Sequence, residues 1–192
     1  AAISSGFGAP IAGLVFAHEV IVRHFSLKAV APILISAIVA HTFSTEFYEM
    51  NPLFQGNLGG ISEFYEIFLL AILGIFSGLV GSVYMKGLTG ALKIPKQIPV
   101  FFLPIIAGAI CGITGLFLPE LLGLGTDTIR TLIEKPSYIG YLVMLLIGKL
   151  FLTIVCIRLG LFGGIFSPAL FIGVCTGSIF AYLSGVIFEI NH

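Results

Sequence analysis

The chain has 192 residues, 58% of them hydrophobic and only 9% charged, with a mean hydropathy of +1.14 and a formal net charge of +0. A soluble domain carries about 25% charged residues, so this chain cannot clothe a core in a polar surface, and lipid must do that instead. No nucleic-acid partner is expected of so uncharged a chain, and no nucleophile, metal or phosphate motif points to an enzyme or to a bound cofactor.

In chain order, residues 10–22 and 29–40 form apolar stretches too short to cross a bilayer, which reads as half-spanning, tilted or broken helices. Residues 69–84 with their flanks, 101–118, 138–157 and 165–190 approach the length of about 20 mainly apolar residues that a crossing helix needs. Together these predict about six membrane segments in one transmembrane domain over residues 1–192, with an all-α fold of tilted and broken helices. Barrel strands would alternate with period two, whereas these runs are apolar on every side. No Met or charged n-region precedes the first apolar run, and the last run stops abruptly at His192, so an internal piece of a longer protein is expected. Cys111, Cys156 and Cys175 sit inside apolar runs. Their spacing fits no metal site and their odd number no disulfide framework, so they read as buried membrane cysteines.

Lys and Arg near span ends mark the cytoplasmic side. Arg23, His24 and Lys28 make one basic loop, and Lys86, Lys93 and Lys96 make another. Glu46, Glu49, Glu63 and Glu66 lie between them and fall outside. The segments then alternate. Residues 10–22 run inward, 27–43 return outward as two short helices, 64–85 run inward and 98–118 outward. A loop at 119–136, with Glu120, Asp127, Arg130, Glu134 and Lys135, is outside; 138–158 run inward to Arg158, and the last segment runs outward from Gly164.

Gly74, Gly78 and Gly81 recur on one helix face, as do Gly108, Gly112 and Gly115, a pattern that predicts close helix packing. Two other clusters, Gly6-Phe7-Gly8-Ala9-Pro10 and Gly163-Gly164-Ile165-Phe166-Ser167-Pro168, put Gly and Pro at segment starts. Proline suits the first turn of a helix because the N–H it lacks has no partner there. A short Gly-Gly loop dipping into the bilayer would place the start of the last helix at membrane depth, which is tolerated only within protein or along a water-filled path. The first N–H groups of a helix have no internal acceptors and the macrodipole adds roughly half a positive charge. Together they make an anion site without Lys or Arg, weak enough for a transported ion to leave. Taken alone, the same short pattern also fits a plain helix start.

Several stretches, in matching order and spacing, resemble the chloride channel and chloride/proton antiporter (CLC) family. Gly164-Ile165-Phe166-Ser167-Pro168 resembles the family's Gly-x-Phe-x-Pro anion signature, and Lys149 matches a basic position in the preceding family helix. Leu118-Pro119-Glu120-Leu121-Leu122-Gly123-Leu124-Gly125 resembles the outer loop Pro-Glu-x-x-Gly-x-Gly. The run from Ala9 to Glu19 resembles the helix that reads Ala-Pro-Leu-Ala-Gly-x-x-Phe-x-x-Glu. The resemblance implies a multi-pass protein of the cell membrane, a homodimer with one pore per subunit and two inverted halves. This chain would cover roughly the seventh to the fourteenth helix. It implies that backbone N–H groups at Ile165 and Phe166 face chloride, within a binding stretch from Gly164 to Pro168, and that dimer contacts come partly from 27–43. The family's two earlier signatures, Gly-Ser-Gly-x-Pro and Gly-Lys/Arg-Glu-Gly-Pro with its gating glutamate, and its late anion-contacting tyrosine are absent from this sequence.

Family exchangers commonly carry Glu-Glu where this chain has Glu19-Val20. Glu19 is the candidate left for a proton path, but it also suits a structural carboxylate paired with Arg23 one turn on; Val20 carries no proton and leans toward a channel. His18 is expected to be a satisfied interior or interface histidine. Lys149, near mid-segment, is expected to pair with an acid or a carbonyl rather than with the ion. The alternatives are a cation-coupled secondary solute transporter, which would want carboxylates at mid-span where this chain has none, and a non-transporting membrane subunit.

Overall fold

The computed structural model describes residues 1–23, 27–48, 64–93, 99–135, 137–161 and 163–188, and all regular structure among them is helical. His24, Glu49, Glu63, Lys96 and the last residues up to His192, named above for topology and boundaries, lie outside the described residues. The chain divides into two compact units, Ala1–Asn57 and Leu58–His192.

In the first unit, α1 (Ala2–Phe7) turns at Gly8 into α2 (Pro10–Phe16), where Pro10 occupies the first helical turn as its missing N–H dictates. A π-helical turn, Ala17–Val22, extends α2 and ends at Arg23 in the left-handed conformation. The third helix, α3, is Leu27–Tyr48. The Ser4 hydroxyl donates to the Ala37 carbonyl, and both residues are fully buried. The two short helices expected over 27–43 are therefore one helix of 22 residues with Pro32 inside it. Pro32 interrupts the hydrogen-bond ladder only near its start. Breaking the helix outright would leave further amides unpartnered in an apolar setting, where no water can satisfy them.

The second unit contains α4 (Phe64–Lys93), a 3-10 turn (Val100–Phe102), α5 (Leu103–Phe117), a second 3-10 turn (Pro119–Leu121), α6 (Thr126–Glu134), α7 (Ile139–Arg158) and α8 (Phe166–Phe188). Four helices among the described residues are long and apolar enough to cross a membrane, namely α3, α4, α7 and α8, and Pro10–Val22 and α5 are shorter apolar helices. The expected crossing at 98–118 is thus shorter than read, since Pro104 fixes the start of α5 and its 15 residues extend only about 22 Å. The loop expected at 119–136 is mostly helical. In α6, Ile129 and Leu132 are buried while Asp127, Arg130 and Glu134 face out.

The core of this unit gathers Leu121, Ile129, Leu142, Leu145, Phe171 and Cys175 around the α7–α8 contact. A smaller cluster of Tyr84, Leu88 and Ile172 ties α4 to α8. The outer face of α4 leaves Leu70, Ile75, Leu79 and Val83 exposed, as a helix bounded by lipid does. Among the described residues the glycine stripes face open space: a Cβ at Gly74, Gly78, Gly81, Gly108 or Gly112 would meet nothing within 4 Å, and Gly115 alone of the six meets a neighbour, Leu122.

Candidate functional site

The site is assembled where α7 stops and α8 starts. Leu161 N–H donates to Cys156 O at 3.0 Å and Gly160 N–H to Ile157 O at 3.1 Å, with Gly160 at φ 87. This is a Schellman closure, whose left-handed residue is comfortable only as glycine. It turns the chain back on itself, so that Gly163, Gly164 and Ile165 run exposed into the first turn of α8 at Phe166.

Ile165 caps that helix. Its carbonyl accepts from Ala169 N–H at 3.3 Å and from the hydroxyl of Tyr84 at 3.2 Å. Tyr84 is only 4% exposed. The peptide that follows Ile165 is planar and trans, so its carbonyl and the Phe166 N–H point in opposite directions. Holding the carbonyl on Tyr84 therefore fixes where that N–H aims. Pro168 sits in the first turn, where it withdraws no ladder donor.

Two side chains bind this start to the loop around Leu121–Leu124. Ser167 Oγ donates to Leu124 O at 3.1 Å, so the hydroxyl is not spent on capping its own helix. Lys149, 3% exposed, donates through Nζ to Leu121 O at 2.8 Å and to Gly123 O at 3.0 Å, and its ammonium lies 4.9 Å from the centre of the Phe171 ring. The expected carbonyl pairing of Lys149 is thus what the structure contains. These partners are neutral and no carboxylate pairs with Lys149 among the described residues, so its positive charge stays uncompensated beside the helix start. Gly125 completes the loop at φ 69, where an added Cβ would fall 2.6 Å from the Phe171 ring. Gly163, Gly164, Ser167, Pro168, Gly123 and Lys149 border one cleft of about 420 Å³.

Sequence reasoning thus named the stretch from Gly164 to Pro168, Lys149 and the outer loop separately, and the structure brings them together. It missed Tyr84, an ordinary tyrosine in an apolar run, and Gly160, hidden among neighbouring glycines. Glu19 belongs to the other unit, where it is exposed on the π-helical turn together with Val20. The ion pair weighed for Glu19 and Arg23 is absent among the described residues. The wider π turn takes positions four apart off a common line, and Arg23 already leaves the helix. His18 is 7% exposed with Nδ1 3.1 Å from Leu14 O, a satisfied interior histidine.

Helices long and apolar enough to cross a membrane, one of them starting from a glycine-rich turn pinned to the loop that a buried lysine holds, define a multi-pass integral membrane protein of the broken-helix kind. The chain belongs to the voltage gated chloride channel family, whose model matches residues 1–192. It is 25% identical over 191 residues to the voltage-gated ClC-type chloride channel ClcB of Escherichia coli (strain SMS-3-5 / SECEC), covering 98% of this chain and 46% of that protein. It is 29% identical over 207 residues to the H(+)/Cl(-) exchange transporter ClcA of Salmonella arizonae, covering 100% of this chain and 42% of that protein. The corresponding transporter of Salmonella agona matches at 29% over 204 residues. The chain spans less than half the length of these curated relatives.

Proposed function

We propose that this chain forms part of a membrane protein that carries chloride across the bilayer, and that the anion is held in the stretch Gly164, Ile165, Phe166, Ser167 and Pro168 by backbone N–H groups of the first four, with Pro168 shaping the helix start. The observation that carries the reading is the anchored Ile165 carbonyl, which sets the direction of the next amide at the positive end of α8. The ammonium of Lys149, bonded to neutral carbonyls, adds positive potential behind the site, and those bonds keep it from clasping the ion. A site of neutral dipoles suits an ion that must depart again.

One helix end supplies up to about 2 kcal/mol, whereas burying a bare ion in a low-dielectric medium costs tens of kcal/mol. The remaining ligands must come from segments beyond this chain, and the isolated chain is expected to bind no chloride. A titration of the isolated chain showing a defined anion site would contradict this. A homodimer with one pore per subunit, using α3 in part for its contacts, belongs to the same reading.

Val20 favours passive conduction. A valine carries no proton, and Glu19 beside it is the only acid this turn offers. The decisive experiment is chloride efflux from liposomes holding the full-length protein. Efflux without proton pumping supports a channel, efflux that pumps protons supports an exchanger with another proton route, and no efflux removes chloride transport altogether.

A further inference from the structure

The mechanism above leaves the cysteines unused, yet two of them meet. The Sγ atoms of Cys111 on α5 and Cys156 on α7 lie 3.2 Å apart although the residues are 45 positions apart in sequence. Both are partly exposed, whereas Cys175 is 0% exposed. Both also lie on the wall of the cleft that Gly163 and Gly164 border, so a small solute in that cleft reaches them. Closing a bond of about 2.05 Å asks the sulfurs to approach by roughly 1.2 Å.

Cys156 is also structurally placed to matter. Its carbonyl accepts the Leu161 N–H that closes α7, the step immediately before the turn to Gly163 and Gly164. A covalent tie at Cys156 restrains the residue from which that turn is hung.

We propose that Cys111 and Cys156 form a redox-sensitive dithiol that closes to a disulfide, clamps α5 to the end of α7 and slows anion passage through the adjoining cleft. The oxidant class is a hydroperoxide such as hydrogen peroxide. One sulfur, as thiolate, attacks a peroxide oxygen; the O–O bond breaks, leaving a sulfenic acid and, after protonation, water. The second sulfur attacks the sulfenic sulfur, the S–S bond forms, and the S–OH oxygen departs as a second water. Two thiols lose two protons and two electrons, and one peroxide becomes two waters. A small dithiol reverses the bond by exchange. The Arg158 end of α7 faces the cytoplasm in the charge-derived topology, a reducing compartment that holds the pair as thiols until oxidant rises.

The effect on flux rests on the transport reading above, whereas bond formation does not. The test treats the full-length protein in liposomes with hydrogen peroxide, then follows chloride efflux and maps thiols by alkylation and peptide mass spectrometry. The expected result is a cross-linked Cys111–Cys156 peptide and a free Cys175. Efflux should fall at least about fivefold, the low end of coupling between two sites, and return on adding dithiothreitol. In Cys111→Ser and Cys156→Ser, and in the alanine versions should serine disturb folding, the ratio of efflux before and after peroxide should stay near one. Cys111 and Cys156 both still alkylatable after peroxide, or a cross-link with unchanged efflux, overturns the proposal. If the reduced protein passes no chloride, the transport reading fails and the cross-linked peptide alone decides whether the dithiol exists.

Discussion

Replacing Lys149 by methionine tests how the loop around Leu121–Gly123 is held against α7. The two side chains have similar length, so packing along α7 is nearly preserved while the ammonium is lost. Lys149→Met removes the hydrogen bonds at 2.8 and 3.0 Å to Leu121 O and Gly123 O and the contact with the Phe171 ring. Hydrogen bonds from a charged donor contribute about 1.5–3 kcal/mol each, or about 3–6 kcal/mol for the two. Part of that returns, because an ammonium no longer has to be kept out of water at a cost of several kcal/mol. A net loss of about 2–3 kcal/mol is expected; relatives are more than twice this length, so the slope is roughly half the 2–4 °C per kcal/mol of 150–250-residue domains and Tm falls by about 2–6 °C. Differential scanning fluorimetry of the full-length protein in detergent measures it. Lys149→Arg should fall between the two, since a planar guanidinium cannot place its donors as a compact ammonium does. A Lys149→Met protein melting within about 1 °C of wild type would refute the argument that the lysine ties the loop.

The remaining predictions concern the same assembly. Gly125→Ala meets both a left-handed backbone (φ 69) and the Phe171 ring at 2.6 Å, so a loss of about 2–5 kcal/mol is expected from the two costs together. Gly123→Ala, at φ 58 with open space around it, should lose only about 1–2 kcal/mol; equal shifts in thermal unfolding would contradict the geometry. Tyr84→Phe deletes one of the two bonds to Ile165 O, worth about 0.5–1.5 kcal/mol, and should raise the chloride Kd of the full-length protein roughly two- to tenfold by calorimetry. An unchanged Kd would mean that Ile165 needs no anchor from α4.

Composition and run length carried most of the fold, because lipid imposes a length on every crossing helix. They failed where a local rule was overridden. The stretch 27–43 was expected as two short helices, yet without water to take up freed amides α3 continues through Pro32 as one. The charged stretch at 119–136 looked like a loop because the residues facing out of α6 masked the short apolar face of Ile129 and Leu132. At the site, the motif from Gly164 to Pro168 was visible because glycine and proline restrict backbone directly. What holds it was not visible: Tyr84 and Leu124 reach it from other elements, and neither has a spacing that points there. The meeting of Cys111 and Cys156 was equally hidden, since each alone is an apolar residue in an apolar run.

Crystals of the full-length protein soaked in bromide, with anomalous scattering used to locate the ion, probe the central claim most directly. Bromide within hydrogen-bond reach of the amides at Ile165 and Phe166, and lost when chloride is restored in excess, is the predicted result. Anomalous density confined to other parts of the protein, with nothing at the start of α8, would contradict it.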